Sequence, residues 1–219
     1  MMKNRLDYDL LKAIALIALA TSLVGVSLGS IAASFNLPLW IPLLLSLTVL
    51  AGAAEFTFIG MIATGANPIF AALTGILINL RHLPFGLSVH AFLEKNTLRF
   101  LAIHIMNDES VMFGLNQKSP ELQRAAYWAS GLAIGILWPI GVIIGFILGH
   151  NIADIQALGI DAAFPAILFA LIFPLLKNKT TRKRAVLGAI FAMLFTPILP
   201  TGLPVLMSLF ALLFWRATA

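Results

Sequence analysis

Long apolar runs follow one another along nearly the whole chain and restrict what it can fold into. Pro, Gly, Asn or charged residues separate about eight of them: 10–33, 39–61, 66–80, 85–106, 125–149, 157–176, 185–199 and 203–216. Runs near 20 residues match the hydrocarbon core of a bilayer, where only helices and closed barrels satisfy the backbone. The runs lack the alternation of barrel strands. We therefore predict an all-α polytopic membrane protein of roughly six to eight helical segments, some short or broken.

The composition excludes the main soluble classes of protein. Hydrophobic residues make up 60% of the 219 residues and charged residues 11%, so a soluble fold would leave excess apolar surface in water. The net charge of +5 lies in short segments between the runs, which argues against a nucleic-acid partner. Because cysteine is absent, the chain has no disulfide, thiolate nucleophile or cysteine metal site. We expect one integral membrane domain over 1–219, with an internal repeat that could divide it into halves 1–115 and 116–219.

The basic residues predict the orientation in the membrane. The densest basic cluster is 177–184, whereas 150–156 contains neither Lys nor Arg. Basic connections stay in the cytoplasm, so the first segment is predicted inside and the second outside. Counting crossings outward places 107–124 inside, and the N-terminus is also inside if an even number of crossings precedes 107–124. Arg216 returns to the cytoplasm whether 185–199 and 203–216 form a re-entrant pair or two crossings. The first apolar run is longer than the roughly 7–15 residues of a secretory signal, so we expect it to remain as a helix.

Two interruptions rich in Pro and Gly occupy corresponding places in the two halves. Leu-Pro-Phe-Gly at 83–86 follows the third run, and Leu-Pro-Thr-Gly at 199–202 follows the seventh. Such interruptions point to a transporter binding site, because open backbone is tolerated in a bilayer only where it lines a cavity. The runs 185–199 and 203–216 would reach only about 22 Å as helices, which favours a re-entrant or broken pair. The alternative is that Pro and Gly simply mark helix ends.

Glu55 and Arg81 are the most conspicuous ionisable residues in the apolar runs. An ionisable residue in the membrane is costly and therefore a functional hypothesis. Glu55 could carry a coupling proton, meet a substrate ammonium or form a structural ion pair with Arg81. Arg81 is that partner, a ligand for a substrate carboxylate, or an interfacial anchor.

A second group of ionisable residues surrounds 104–109. His104 and Asp108, four residues apart with Glu109 adjacent, are predicted to share a helical face, as a proton relay, a metal site or simply a helix end. His90 and Glu94 repeat this spacing, which suits either an aqueous path or an interfacial hairpin. No His-Glu-x-x-His motif accompanies them, and we expect no metal ion and no cofactor.

Small residues spaced by four recur in the run 125–149. They let helices approach closely, so we predict a packing seam, either internal or toward a partner. Its members are Gly131, Gly135, Gly141, Gly145 and Gly149. Farther on, Asp161 is predicted to cap the helix that leads toward Phe164 and Pro165.

Several short blocks, in order along the chain, resemble the AzlC family. The blocks are Ala-Gly-Ala-Ala-Glu-Phe at 51–56, Gly-Ala-Asn-Pro at 65–68, Asn-Leu-Arg-His-Leu at 79–83, Asn-Asp-Glu-Ser at 107–110, Gly-Ile-Asp-Ala-Ala-Phe-Pro-Ala at 159–166 and Leu-Pro-Thr-Gly-Leu at 199–203. Two positions depart from the family's pattern, since Glu55 stands where Gln is usual and Asn107 where Thr is usual.

The resemblance implies the large subunit of a two-component exporter of leucine, isoleucine, valine and often methionine. Such an exporter works with a small AzlD-type membrane subunit in the bacterial cytoplasmic (inner) membrane, surrounded by lipid and driven by the proton gradient. A zwitterionic substrate needs Arg81 or helix-terminal N–H groups for its carboxylate and an acid such as Glu55 for its ammonium. The predicted substrate or coupling residues are Glu55, Asn79, Arg81, Pro84, Gly86, Asp108, Glu109, Pro200 and Gly202.

Two other classes of function compete with a transporter. A non-transporting assembly subunit would use the glycine seam but would leave both interruptions without a purpose. An intramembrane enzyme would use His104, Asp108 and Glu109 with Glu55 as acid or base, yet the sequence has no recognisable nucleophile or ligand motif. We therefore predict that the chain is not an enzyme.

Overall fold

The computed structural model describes residues 6–93, 96–150, 175–199 and 203–213, together with Phe169 and Phe173. Throughout these ranges the regular structure is helical and no strand occurs, which confirms the predicted all-α fold. The sequence-based predictions for 151–156, Asp161, Pro200 and Gly202 lie outside the described residues.

Helices follow one another with short connections. They are α1 (Tyr8–Ser34), α2 (Trp40–Thr48), α3 (Gly52–Ala63), α4 (Pro68–Asn79), α5 (His82–Val89), α6 (Leu98–His104), α7 (Asp108–Leu115), α8 (Pro120–His150), α9 (Lys179–Phe195), α10 (Leu203–Met207) and α11 (Phe210–Leu213), with a 3-10 turn at Leu175–Lys177. In the described part of the chain, three helical stretches are long and apolar enough to cross a membrane: Tyr8–Ser34, Pro68–Val89 and Pro120–His150. These stretches agree with a polytopic membrane protein.

Three predicted runs become helices with nearly the predicted bounds. The run 10–33 is α1, which begins where the Asp7 carboxylate accepts the Leu10 N–H at 2.7 Å. The run 66–80 is α4, and 125–149 is α8, which continues through Pro139 over 31 residues. The length and apolarity of these runs are sufficient to predict the helices, because a lipid-facing helix requires little else.

Two other predicted runs are broken, so the prediction of continuous segments is wrong there. The run 39–61 splits into α2 and α3 at Leu50, whose φ of 49° lies in the left-handed region. The run 85–106 splits between α5 and α6, and α6 begins after Asn96, whose side-chain oxygen accepts the Leu98 N–H at 3.0 Å. In both runs, side-chain acceptors bind N–H groups that a continuous helix would pair with backbone carbonyls.

The interruption predicted at 83–86 does not form there, because these residues belong to a helix. Helix α4 ends at Asn79 and α5 begins at His82, so Pro84 and Gly86 lie within α5 rather than in a loop. Pro84 is the third residue of α5, where its missing N–H costs nothing because first-turn N–H groups have no intrahelical partner. The backbone opens only at Leu80 and Arg81.

The basic cluster 177–184 forms helix rather than only a connection. Asn178 caps α9 by accepting the N–H groups of Thr180 and Thr181, so this helix begins six residues before the predicted run 185–199. The predicted run 203–216 is interrupted between α10 and α11. The cluster is therefore ordered by an Asn cap that the apolar pattern does not reveal.

Packing divides the chain into two compact units. The first comprises Met1–Glu55 with Asn79–Ala153, and the second comprises Phe56–Ile78 with Asp154–Ala219. The predicted single domain and its halves 1–115 and 116–219 stay a prediction.

In the first unit, α1 packs lengthwise against α8 through small residues. A Cβ at Gly141 would collide with the Ser22 backbone, and one at Gly145 with the Val26 backbone. Ser22 and Ser30 donate hydroxyl hydrogen bonds to α8 carbonyls at 2.8 and 2.9 Å. The glycine seam is thus internal at these positions, as one of the two predicted alternatives had it.

A separate core holds α5, α6 and α7 against α8. Its buried members are Val89, Phe92, Ala102, Ile105, Met106, Val111 and Tyr127. The Tyr127 hydroxyl donates to the Ala102 carbonyl at 2.6 Å, and the Arg124 Nε donates to the Phe92 carbonyl at 2.8 Å. These contacts fix the short helices that carry the polar residues of 79–109.

In the second unit, a small apolar cluster joins α3 to α4, with Met61, Ala66 and Ala71 buried in it. Helix α9 contacts α10 and α11. An ideal Cβ built on Gly188 would lie 3.1 Å from the Ser208 carbonyl oxygen. This unit contains the cavity described below.

Candidate functional site

Glu55 is completely buried at the start of α3, just after the break in the run 39–61. One carboxylate oxygen accepts the Ala51 N–H at 2.8 Å, and the other accepts the indole N–H of Trp138 at 3.1 Å. Among the described residues no Lys, Arg or His side chain pairs with it. The predicted alternative of an ion pair between Glu55 and Arg81 is wrong. An ionised carboxylate is expensive to bury without a cation, which makes the burial of Glu55 the feature of this site that most needs an explanation.

Trp138 is a hydrogen-bond partner of Glu55, and no role for this tryptophan was predicted from the sequence. Its indole is 6% exposed and packs on Gly52, where an ideal Cβ would lie 3.0 Å from the ring. A signal was present in the sequence, because an indole N–H in the middle of an apolar helix needs a hydrogen-bond acceptor. The sequence does not reveal which acidic residue is the acceptor, because Glu55 lies 83 residues before Trp138.

Arg81 pairs with Asp108 instead, through a 3.0 Å contact between Nη1 and Oδ2. This ion pair joins the α4–α5 junction to the α6–α7 junction. Both side chains are partly accessible, with 34% of Arg81 and 48% of Asp108 exposed. Arg81 is therefore held by a charge that a ligand could replace.

The predicted shared face of His104 and Asp108 does not form. His104 ends α6 and Asp108 begins α7, so the two residues lie on different helices. The cause is Asn107, whose side-chain oxygen accepts the Ser110 N–H at 2.8 Å while Ser110 Oγ accepts the Asn107 N–H at 2.9 Å. This reciprocal capping box starts a new helix between the two residues.

Three buried polar atoms on the residues of the ion pair and their near neighbours in sequence have no hydrogen-bond partner among the described residues. They are Asn79 Oδ1, Arg81 Nε and Asn107 Nδ2. A buried donor or acceptor left unpaired costs about 1–3 kcal/mol, so three in adjoining positions need an explanation. We refer to Asn79, Arg81, Asn107, Asp108 and Glu109 as the junction cluster. Asn107 is the member that the predicted site lacked, because its signal was only that of a helix cap.

Glu109 adds a second carboxylate to the junction cluster. Burial raises the pKa of the Glu109 carboxyl, a hydrogen bond from its own backbone lowers it, the Asp108 charge raises it and Arg81 lowers it. The net direction is upward, so Glu109 takes a proton at a higher pH than an exposed glutamate does.

The second unit contains a cavity of about 530 Å³. Its described lining comes from one face of α3, the end of α4 and the α10 region: Thr57, Gly60, Met61, Thr64, Thr74, Leu77, Ile78, Leu206, Ser208 and Leu209. Thr64 and Thr74 donate their hydroxyl protons to carbonyls of their own helices, which leaves their oxygens as acceptors. The volume and the apolar walls are typical of small-molecule sites.

The predicted site residues thus fall into distinct places. The structure brings Arg81, Asp108 and Glu109 together, with Asn79 two residues before Arg81, and it gives Glu55 a separate environment. Pro84 and Gly86 are structural members of α5, and an ideal Cβ at Gly86 meets open space. Within the described ranges no group of three or more His, Asp or Glu side chains is arranged to hold a metal ion.

Both polar sites lie in the stretch that matches a known family. The family model of the AzlC protein matches residues 16–152, more than half of the chain. This chain belongs to the AzlC family. The matched region contains Glu55, Trp138 and the junction cluster, so the AzlC assignment rests on the part of the chain in which these residues are placed.

Relatives of this AzlC chain agree that it is a membrane protein. An uncharacterized membrane protein of Helicobacter pylori is 27% identical over 183 residues, which cover 80% of this chain and 78% of the relative. An uncharacterized membrane protein of Haemophilus influenzae is 27% identical over 209 residues, covering 89% of this chain and 82% of the relative. No solved structure matches the chain.

Proposed function

We propose that this AzlC-family chain is the large subunit of a two-component secondary transporter. It exports leucine, isoleucine, valine and methionine across the bacterial inner membrane, together with a small AzlD-type subunit, and uses the proton gradient. Both termini face the cytoplasm. Membership of the AzlC family and the apolar helices support a membrane protein of this kind.

The observation that carries the proposal is the environment of Glu55. Its carboxyl group is completely buried, accepts two hydrogen bonds and faces no cation among the described residues. The neutral Gln that is usual in the AzlC family at this position would suit a static structural role, because burying an ionisable group is costly, so proton coupling through Glu55 is proposed for this chain alone. A carboxyl group can hold a proton while it is buried and release it when water reaches it, which is what coupling to a proton gradient requires.

The backbone next to Glu55 supports movement at this point. Leu50 has a positive φ, which is strained for a branched side chain, and such strain concentrates at functional sites. Residues 49–51 lie between α2 and α3 and belong to neither helix, so α3 can tilt without bending a continuous helix. In the proposed cycle, tilting of α3 exposes Glu55 in turn to the two sides of the membrane.

A second feature supports a small, largely apolar solute. The described lining of the cavity in the second unit combines leucine, isoleucine and methionine side chains with hydroxyl groups, which are its polar members. Branched-chain amino acids carry an apolar side chain of suitable size, whereas a sugar or nucleotide would leave many of its polar groups unpaired in such walls.

Export from intact cells tests this function. Exporter-deficient bacteria are loaded with dipeptides containing leucine, valine or methionine, and external amino acids are followed with this chain alone, the AzlD-type partner alone, both and neither. We expect accelerated efflux, sensitive to an uncoupler, only with both subunits. If efflux does not change although both subunits reach the membrane, branched-chain export is excluded and the assembly-subunit alternative is favoured.

Glu55→Gln tests the proposed coupling in the same cells. The Gln amide has nearly the size of the Glu carboxyl group and its oxygen accepts hydrogen bonds, but it cannot exchange a proton at physiological pH. We expect efflux that no longer responds to the uncoupler. Glu121→Gln, which removes an exposed carboxylate at the start of α8, is the matched control and should behave as the parent. Equal uncoupler sensitivity in parent and Glu55→Gln would contradict the role of Glu55.

A further inference from the structure

We propose that the junction cluster binds the charged end of a zwitterionic amino acid. Arg81 Nε and Asn107 Nδ2 donate hydrogen bonds to the carboxylate of the ligand, while Asn79 Oδ1 and Asp108 accept from its ammonium. The ligand class rests on the proposed function, but the site itself rests on the unpaired atoms and on the ion pair.

The burial and hydrogen bonding of Asn107 give the proposed site its strongest support. Its side chain is 94% buried, since only 6% is exposed. The side-chain oxygen must be the atom that accepts the Ser110 N–H at 2.8 Å, so the orientation of the amide is fixed by chemistry. The Nδ2 group is then a buried donor that finds no partner in the described part of the chain. A helix cap needs only the oxygen, and Ser, Thr or Asp would supply it equally well. The donor is therefore surplus to the structural role.

The other two unpaired atoms belong to residues on the Arg81 side of the ion pair. Arg81 contacts Asp108, the residue next to Asn107, and Asn79 lies two positions before Arg81. Together the unpaired atoms provide two donors, one of them on a cation, and one acceptor. A carboxylate with an adjacent ammonium needs this combination, whereas a simple anion would leave Asn79 Oδ1 unpaired.

When no ligand is bound to this site, Arg81 and Asp108 pair with each other. All three unpaired atoms are shielded from solvent, so a ligand reaches them only when the two junctions separate. A zwitterion compensates for the separation, because its carboxylate takes over Arg81 and its ammonium takes over Asp108. The side chains of the pair are partly accessible at present, which gives the ligand a first point of contact.

Binding to the purified two-subunit complex tests the site. Three probes are compared by equilibrium binding: L-leucine, L-leucinamide, which lacks the carboxylate, and 4-methylpentanoate, which lacks the ammonium. We expect the parent protein to bind leucine at least about tenfold more tightly than either analogue, because each analogue leaves charged or buried groups unpaired.

Asn107→Asp separates binding from folding. Aspartate keeps the capping oxygen and suits a helix N-terminus, so thermal stability should stay equal or rise. It replaces the Nδ2 donor with a negative oxygen, so leucine affinity should fall at least about tenfold while leucinamide affinity does not fall. Asn178→Asp, which changes the same kind of cap at α9, is the matched control and should leave leucine affinity unchanged.

Asn107→Thr provides a second variant that keeps a capping oxygen and lacks the amide donor. It should weaken leucine binding as well, with the capping box intact. If the parent binds leucine but both Asn107 variants bind it within about twofold of the parent, the proposed site is overturned and the proposed function stands. If the parent complex binds none of the aliphatic amino acids, both are overturned.

Discussion

Glu55 and Trp138 form the most demanding contact between single residues in the first unit. The indole N–H is one of two hydrogen bonds to a carboxyl group that has no exposed surface. Its loss would leave one carboxylate oxygen without a donor. Such a contact is worth more than an ordinary neutral hydrogen bond when the acceptor is charged.

Trp138→Phe measures this contact. We expect a loss of roughly 1–3 kcal/mol in the free energy of unfolding, because the variant leaves a buried carboxyl oxygen of Glu55 without its donor, together with slower efflux. Trp40→Phe is the control because Trp40 is 63% exposed and should cost less than about 0.5 kcal/mol. Thermal unfolding of the purified complex checks both variants. Equal losses in the two would mean that the Glu55 contact contributes nothing specific.

Glu109 gives the junction cluster a pH dependence. A carboxyl whose pKa is raised in the folded state stabilises the fold below its unfolded-state pKa and loses that contribution as the pH rises through the folded-state pKa. Glu109→Gln imitates the protonated form. We therefore expect the variant to gain stability over the parent as the pH rises from about 4 to 8, with little difference at the acidic end.

Thermal unfolding at several pH values checks this prediction, with Glu121→Gln as a control for the loss of one negative charge. The groups that act on Glu109 are its own backbone, Asp108 and Arg81, and all three remain in the variant. A difference between Glu109→Gln and the parent that is constant over the pH range would show that its carboxyl does not titrate as inferred.

Among the elements, α1 and α8 form the longest packed pair in the first unit. Close approach of two helices depends on glycine where a Cβ would enter the partner's backbone, as at Gly29 and Gly145. The serine hydrogen bonds from α1 to α8 carbonyls add polar contacts that lipid cannot replace. Since the seam at these positions is used internally, it gives no support to the assembly-subunit alternative.

Gly145→Ala tests the seam. Its new methyl group meets the Val26 carbonyl, so α1 must move, and we expect a loss of about 1–3 kcal/mol in the free energy of unfolding. Gly135→Ala in the same helix is the matched control, because its Cβ would lie 3.7 Å from Leu50 Cδ2, an ordinary contact. That control should be neutral or slightly stabilising, by up to about 1 kcal/mol. A destabilisation at Gly135 equal to that at Gly145 would contradict the packing.

The positions of the helix breaks were only partly predictable. The Pro and Gly at 83–86 suggested an open backbone, but α5 accommodates Pro84 in its first turn and the opening is confined to Leu80 and Arg81. The break at Leu50 carries no Pro or Gly at that residue and was missed. At this break Gly52 lies against Trp138 and Leu50 lies near Gly135 of α8, and such contacts are invisible in the local sequence.

For the whole molecule, the predicted orientation stays to be tested. The absence of cysteine makes single introduced thiols specific probes. We expect cysteine at Gln117 or Thr180 to be protected from an impermeant thiol reagent in intact cells and labelled in inverted vesicles. Cysteine at His150 should show the opposite pattern. The same pattern at Thr180 and His150 would contradict an odd number of crossings between them.

Several whole-molecule features remain predictions: the AzlD-type partner, the inner membrane, the absence of enzymatic activity and the division into halves. Membership of the AzlC family and the character of a membrane protein follow from the family match and the apolar helices. The export experiment and the cysteine labelling address partner and orientation separately, so one can fail without the other.

The sequence by itself determined the fold class, the membrane environment and the approximate bounds of α1, α4 and α8, and it marked Glu55 and Arg81 as candidate site residues. These are local properties, because the length of an apolar run and the cost of a charge within it do not depend on distant residues. Tertiary structure alone decided the partners. Glu55 meets Trp138 from 83 residues away, and Arg81 meets Asp108 rather than Glu55. Which polar groups meet depends on how the helices pack, and many packings satisfy the same apolar pattern.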